Sequence, residues 1–73
     1  MSVESAKAFI ELVNGDAGMQ TQLGIMSPQN GEQMTRFAAS KGYLFEEPHL
    51  YEALEAYPQD TYIRPRIVEQ ADE

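Results

Sequence analysis

Cysteine is absent from this 73-residue chain, and histidine occurs only once, at His49. Without thiols the chain has no disulfide framework, no cysteine-type zinc site and no thiol nucleophile. A Ser-His-Asp triad would depend on His49, and the sequence contains no Gly-x-Ser-x-Gly elbow. The five glycines are scattered, so no glycine-rich loop is available to bind phosphates. We therefore expect a non-enzymatic protein with no cofactor.

Basic residues and long apolar runs are also scarce. Five basic residues against twelve acidic ones give a net charge of −7, which repels phosphate backbones and anionic lipids. No run approaches the roughly 18 apolar residues of a membrane span, and residues 1–5 do not resemble a secretory signal. We expect a cytoplasmic protein that binds neither nucleic acid nor membranes.

The apolar residues recur at helical spacing in four segments, which predicts an all-α fold. Ser2 is a suitable cap for a first helix that ends near Val13, and Asp16 is a suitable cap for a second. A third helix begins at either Ser27-Pro28 or Asn30, since both are good starts. A fourth is expected to end at Pro58. We predict a small bundle of about four short helices over residues 1–57.

The connector between the third and fourth helices is unusually apolar. Lys41 and Gly42 are typical of a helix end, and Pro48 with its preceding glutamates is typical of a helix start. Tyr43 and Phe45 stand two residues apart, which places them on one side of an extended segment. We expect both rings to pack between the flanking helices, rather than to form an exposed contact.

Residues 58–73 are predicted to form an extended tail, because two prolines occur within eight residues and the last four residues are polar or small. The tail is nevertheless more apolar and more basic than a solvated terminus requires, so it is also a candidate to lie along a partner. Its candidate contact residues are Tyr62, Ile63, Arg64, Arg66, Ile67 and Val68. Glu52 and Glu55 on the fourth helix are candidate charges at the rim of such a contact.

Glu46, His49 and Glu52 are spaced so that they could line one face of a helix. The Glu-x-x-His unit is found in di-iron carboxylate bundles, but those sites need a second such unit and two further glutamates. This chain has one unit, so it could complete such a site only as a dimer. The favoured interpretation is a solvated acidic face with a histidine at the start of a helix.

Two short motifs resemble the Nif-eleven domain of nitrogen-fixation gene clusters. They are Ser2-Val3-Glu4-Ser5-Ala6-Lys7-Ala8-Phe9 at the start of the chain and Lys41-Gly42-Tyr43-x-Phe45 in the middle. The resemblance spans about residues 2–54 and includes Asp16 and Leu50. Where the family usually has a Ser or Thr cap after the Phe, this chain has Glu46, and Pro48 enters the next turn.

The resemblance implies one of two roles: a leader domain recognised by peptide-modifying enzymes, or a free-standing protein encoded beside nitrogenase genes. After Tyr57 this chain has no Gly, Cys or Ser, and only Thr61 could be dehydrated or cross-linked. A free-standing role is therefore favoured. It implies a protein partner, either the nitrogenase molybdenum-iron protein or a cofactor-assembly protein.

Overall fold

A computed structural model of the chain describes residues 2–71 and contains five α-helices among them. The helices are α1 (Val3–Gly15), α2 (Ala17–Met26), α3 (Gly31–Ser40), α4 (Glu47–Leu54) and α5 (Arg64–Ala71). Of these, α1 packs chiefly against α4 and also against α2, while α3 packs against α4. The predicted all-α fold is confirmed.

Side-chain caps set where the first three helices begin. Ser2 Oγ accepts a hydrogen bond from the Ser5 N–H at 3.2 Å, and Asp16 Oδ1 accepts one from the Gly18 N–H at 2.8 Å. Asn30 Oδ1 accepts one from the Gln33 N–H at 2.9 Å, so α3 begins after Asn30 rather than at Ser27-Pro28. Each cap satisfies an amide that has no partner inside its helix.

Two predicted helix ends differ from the structure. The first helix continues past Val13 to Gly15 and ends at Asp16, whose backbone is extended. The fourth ends at Leu54 instead of at Pro58. Beyond Leu54 the amides bond to carbonyls three residues back, and this tighter turn ends the α-helix before Tyr57.

The connector between α3 and α4 packs as the sequence predicts. Gly42 has a φ of +94°, a left-handed conformation that glycine adopts without a Cβ penalty. Phe45 is buried and Tyr43 is partly buried, and both rings lie beside the Phe9 ring, at centroid distances of 5.8 and 6.1 Å. Phe37 meets Phe9 from α3 at 6.1 Å in an edge-on arrangement.

These rings belong to one hydrophobic core to which all five helices contribute. Phe9, Ile10 and Val13 are fully buried on α1, and Leu50 is fully buried on α4. The rest of the core is Ala6, Met19, Leu23, Met34, Phe37, Ala38, Phe45, Ala53, Leu54, Ile63 and Ile67.

The prediction that residues 58–73 are extended is wrong for residues 64–71. Arg64–Ala71 is α-helical, and Ile63 and Ile67, four residues apart, insert into the core with exposures of 0 % and 2 %. Pro65 does not prevent this helix, because it lies in the first turn, where an amide N–H is not needed. Residues 72 and 73 lie outside the described range.

Asp60 explains why α5 begins where it does. Its buried carboxylate accepts hydrogen bonds from the Ile63 and Arg64 amides at 2.9 and 2.7 Å, which caps the helix. The other oxygen accepts a hydrogen bond from Asn14 Nδ2 at 2.8 Å. One side chain therefore both starts α5 and ties it to the end of α1.

Arg64 binds the end of α4. Its Nη2 donates hydrogen bonds to the carbonyl oxygens of Leu54 and Tyr57, the latter at 3.1 Å. These carbonyls carry the partial negative charge of a helix C-terminus, which a guanidinium neutralises.

Tyr57 provides a second link to α1, and its titration should report that link. The hydrogen bond that its hydroxyl donates to Glu11 raises the pKa of Tyr57 above the ordinary 10.0, and reduced hydration and the Glu11 charge act in the same direction. A raised pKa in the folded state stabilises the fold below pH about 10, and this contribution is lost as the pH rises through the folded-state pKa.

We therefore expect the absorbance titration of the Tyr57 phenolate, obtained by subtracting the curve of Tyr57→Phe, to have a midpoint above 10.0. Glu11→Ala should bring the midpoint back towards that value, whereas Glu4→Ala, which removes another carboxylate from α1, should leave it unchanged. Equal titration of Tyr57 in the wild type and in Glu11→Ala would show that the bond is not formed in solution.

A candidate binding groove between α2 and α3

The contact residues predicted in the tail do not form one exposed surface. The prediction that Ile63 and Ile67 contact a partner is corrected, because both side chains are buried in the core. Arg64 is engaged at the end of α4. Tyr62 and Arg66 are partly buried, and the side chain of Val68 lies outside the described part of the chain.

Glu52 and Glu55 are exposed, as the spacing on the fourth helix predicts. Glu52 lies within α4 and Glu55 directly follows it, so both carboxylates are accessible to a partner. Their role as rim charges stays a prediction.

The most exposed apolar side chains lie elsewhere, at the end of α2. Ile25 and Met26 are 74 % and 66 % exposed, whereas Leu23 of the same helix is fully buried. Beside them a groove runs between α2 and α3, formed by two adjoining hollows of about 270 and 220 Å³. We call it the α2–α3 groove; its lining residues are Gln22, Ile25, Met26, Pro28, Gln33, Arg36, Phe37, Ser40 and Lys41.

The local sequence explains why apolar side chains are left in this groove. Ile25 follows Leu23 by two residues, which on a helix directs it away from the core. Immediately after Met26 the helix ends at Ser27, which has a left-handed φ of 52°, and its amide donates to Leu23 O at 2.8 Å. The chain then turns towards Pro28 and α3, and among the described residues no later segment covers this end of α2.

The charges around the groove differ from those of the rest of the molecule. Among the residues that the structure describes, its lining includes Arg36 and Lys41 and no acidic residue, although the chain carries a net charge of −7. The Lys41 ammonium lies 5.6 Å from the centre of the Phe37 ring, and Arg36 pairs with the nearby Glu32 at 2.7 Å. The groove therefore combines an apolar floor with two exposed cations.

Sequence reasoning missed this groove, although one pattern pointed to it. The helical spacing of apolar residues assigns no role to Ile25 and Met26. An isoleucine on the solvent side of a helix, close to a second exposed apolar residue, indicates a possible contact surface.

His49 has a structural part at the start of α4. Its Nδ1 accepts a hydrogen bond from the Glu46 N–H at 3.2 Å, which satisfies one of the amides at the helix start. Among the side chains that the structure describes, those of residues 2–67, no group of three or more His, Asp or Glu is arranged to hold a metal ion. None of the helices within residues 2–71 has the length and apolar character needed to cross a membrane.

Comparison with protein families gives one match. The model of the Nif11 domain, the Nif-eleven family of the motifs above, matches residues 1–47. That stretch contains α1, α2 and α3, and so every lining residue of the α2–α3 groove. No curated protein and no solved structure gives a match. Since the family model covers well over half of its length, the chain belongs to the Nif11 domain family.

Proposed function

We propose that this protein is a non-enzymatic binding module that associates with a nitrogenase component, the molybdenum-iron protein or a maturation form of it, and stabilises or protects that state. The observation that carries the proposal is the exposure of Ile25 and Met26 beside the α2–α3 groove. Full burial of a side chain of this size contributes about 1.5–3 kcal/mol, so covering both would anchor a partner.

The family supplies the biological setting of the proposal. Nif11 membership supports a leader-type or nitrogen-fixation-associated role. We adopt the second of these roles for the proposal. Nitrogenase and its assembly proteins are the protein partners that such a role implies.

The distribution of charge supports a protein partner in preference to a nucleic acid. A net charge of −7 opposes phosphate backbones, whereas exposed carboxylates such as Glu52 and Glu55 can pair with basic residues at the rim of a protein interface. Rim charges of this kind act mainly on the association rate and on the choice of partner.

Retention of purified molybdenum-iron protein on the immobilised full chain tests the proposal. We expect the wild type to retain it and the double variant Ile25→Ser/Met26→Ser to bind about tenfold less tightly or worse, since two apolar anchors are lost. Both residues are exposed, so the fold should persist. Leu44→Ser, which removes an apolar residue 53 % exposed outside the groove, is the matched control and should bind like the wild type.

Failure of the wild type to retain either the molybdenum-iron protein or any cofactor-assembly protein from nitrogen-fixing cells would refute the proposed partner. Equal binding by the groove variant and the wild type would place the contact on another surface.

A leader or recognition domain for peptide maturation is the second candidate, and one observation favours it: Thr61 is exposed and accessible to a modifying enzyme. Co-expression with a modifying enzyme encoded beside the gene should then remove one water from Thr61, seen as a mass decrease that Thr61→Ala abolishes. An unchanged mass would argue against this role.

A further inference from the structure

We infer that the α2–α3 groove binds an amphipathic α-helix of the partner, with the apolar side chains of that helix in the groove and its carboxylates on Arg36 and Lys41. This inference deepens the proposed function and rests on it for the existence of a protein partner. It adds the surface used, the secondary structure of the bound segment and the sign of its charge.

The charge of the groove determines the sign of the ligand. Two of the five basic residues of the chain line the groove, and no acidic residue of the described part of the chain does. A partner segment that carries carboxylates would be attracted here and repelled over most of the remaining surface. A basic segment would be attracted elsewhere, so the groove selects an acidic one.

The existing ion pair does not prevent this. Arg36 and Glu32 are one helical turn apart, and their side chains are 75 % and 62 % exposed. Exposed pairs of this kind contribute little to stability. The guanidinium has five N–H donors, so Arg36 can bind a partner carboxylate while it keeps Glu32 or in exchange for it.

The shape of the groove suits side chains projecting from one face of a helix. Its two hollows share Met26, Phe37 and Ser40; one continues towards Pro28 and Gln33, and the other towards Gln22 and Lys41. Residues three or four apart on a helix project side by side and can enter neighbouring hollows. The exposed Ile25 and Met26 then cover the outer side of the bound helix.

The backbone of the groove excludes an extended ligand. Residues 2–71 contain no strand, so no strand edge beside the groove is available to pair with the backbone of an extended peptide. An extended peptide would leave its own N–H and C=O groups without partners against an apolar floor. A helix satisfies these groups internally, so it is the form that can be desolvated here.

Selection from a displayed library of random peptides about 16 residues long, enough for more than four helical turns, tests the inference. The full chain serves as bait, and peptides that also bind Ile25→Asp are removed. We expect the survivors to carry apolar residues at i, i+3, i+4 and i+7 with Asp or Glu beside them. Survivors that are basic, survivors with alternating apolar residues, or a selection with no survivors would each overturn it.

Charge reversal then measures the contribution of the two cations. Anisotropy titration of a selected, labelled peptide should show binding weakened by about tenfold or more in Arg36→Glu/Lys41→Glu, because two charged hydrogen bonds are lost. Lys7→Glu/Ala8→Glu/Gln59→Glu changes the net charge by the same amount outside the groove and should weaken binding much less. Equal weakening by both charge variants would overturn the inference in favour of general electrostatic attraction.

The same charge variants distinguish failure of this inference from failure of the proposed partner. If purified molybdenum-iron protein fails to bind while the selected acidic helices bind at the groove, the partner is wrong and the inference holds. If the molybdenum-iron protein binds the wild type and both charge variants equally, the partner holds and the inference is overturned.

Discussion

Asp60→Ala should lower the free energy of unfolding by about 2–4 kcal/mol, which is most of the stability that a chain of this length can have. Loss of a helix cap costs about 0.5–2 kcal/mol, and a buried donor left without its partner costs about 1–3 kcal/mol more. Asp60 has both roles, because it caps α5 and accepts from Asn14. Urea unfolding followed by circular dichroism measures the loss.

Asp16→Ala is the matched control, since Asp16 caps α2 in an exposed position and no other element depends on it in the described structure. It should cost only the capping contribution. A double-mutant cycle between Asn14→Ala and Asp60→Ala isolates the bond that joins α1 to α5. Equal destabilisation by Asp60→Ala and Asp16→Ala would mean that this bond contributes nothing to stability.

Phe9→Ala should remove about 3–5 kcal/mol, the cost of deleting a buried ring together with the cavity left behind. Phe9 is fully buried, and the rings of Phe37, Tyr43 and Phe45 all lie about it. Deleting the Phe9 ring therefore removes the packing of α1 against both α3 and the connector. Because the loss is comparable to the total stability, circular dichroism should show a largely unfolded protein without denaturant.

Phe9→Leu allows the loss of stability to be measured, since it retains most of the apolar volume. It should leave a folded domain with a lower free energy of unfolding. Leu44→Ala removes a large apolar side chain at an exposed position of the connector, and it should change the stability by no more than about 0.5 kcal/mol. A folded Phe9→Ala protein with near wild-type unfolding would contradict the arrangement of the core.

The caps and the central connector could be predicted because their evidence is local in sequence. Ser2 and Asp16 act on amides two or three residues away, and Gly42 acts through its own φ angle. The choice between Ser27 and Asn30 could not be made locally. Ser27 takes a left-handed conformation that ends α2, and its suitability as a cap for the next helix does not reveal this.

The last helix was missed because two prolines outweighed two favourable features. One feature is Asp60 ahead of a proline in the first helical turn, and the other is the four-residue spacing of Ile63 and Ile67. Pro48 provides the same kind of start for α4. What the sequence could not show is tertiary: Asp60 is buried and accepts a hydrogen bond from Asn14, 46 residues earlier in the chain. The extended interpretation of the tail led in turn to the incorrect contact roles of Ile63 and Ile67.

The α2–α3 groove was missed for a different reason. Its apolar residues come from the end of one helix and the middle of the next, and Arg36 and Lys41 join them only when α2 and α3 are placed side by side. Helical periodicity identifies the residues that face the core. It does not identify which outward residues of two helices share a depression.

The links between the ends of the described chain have a consequence for its synthesis. Glu11 to Tyr57 and Asn14 to Asp60 each span 46 residues, and α1 packs chiefly against α4. On a ribosome that adds about 5–20 residues per second, the apolar side of α1 therefore stays exposed for several seconds before the residues that bury it are synthesised. Until then Phe9, Ile10 and Val13 are open to chaperones, and the nascent domain closes only when its last helix emerges.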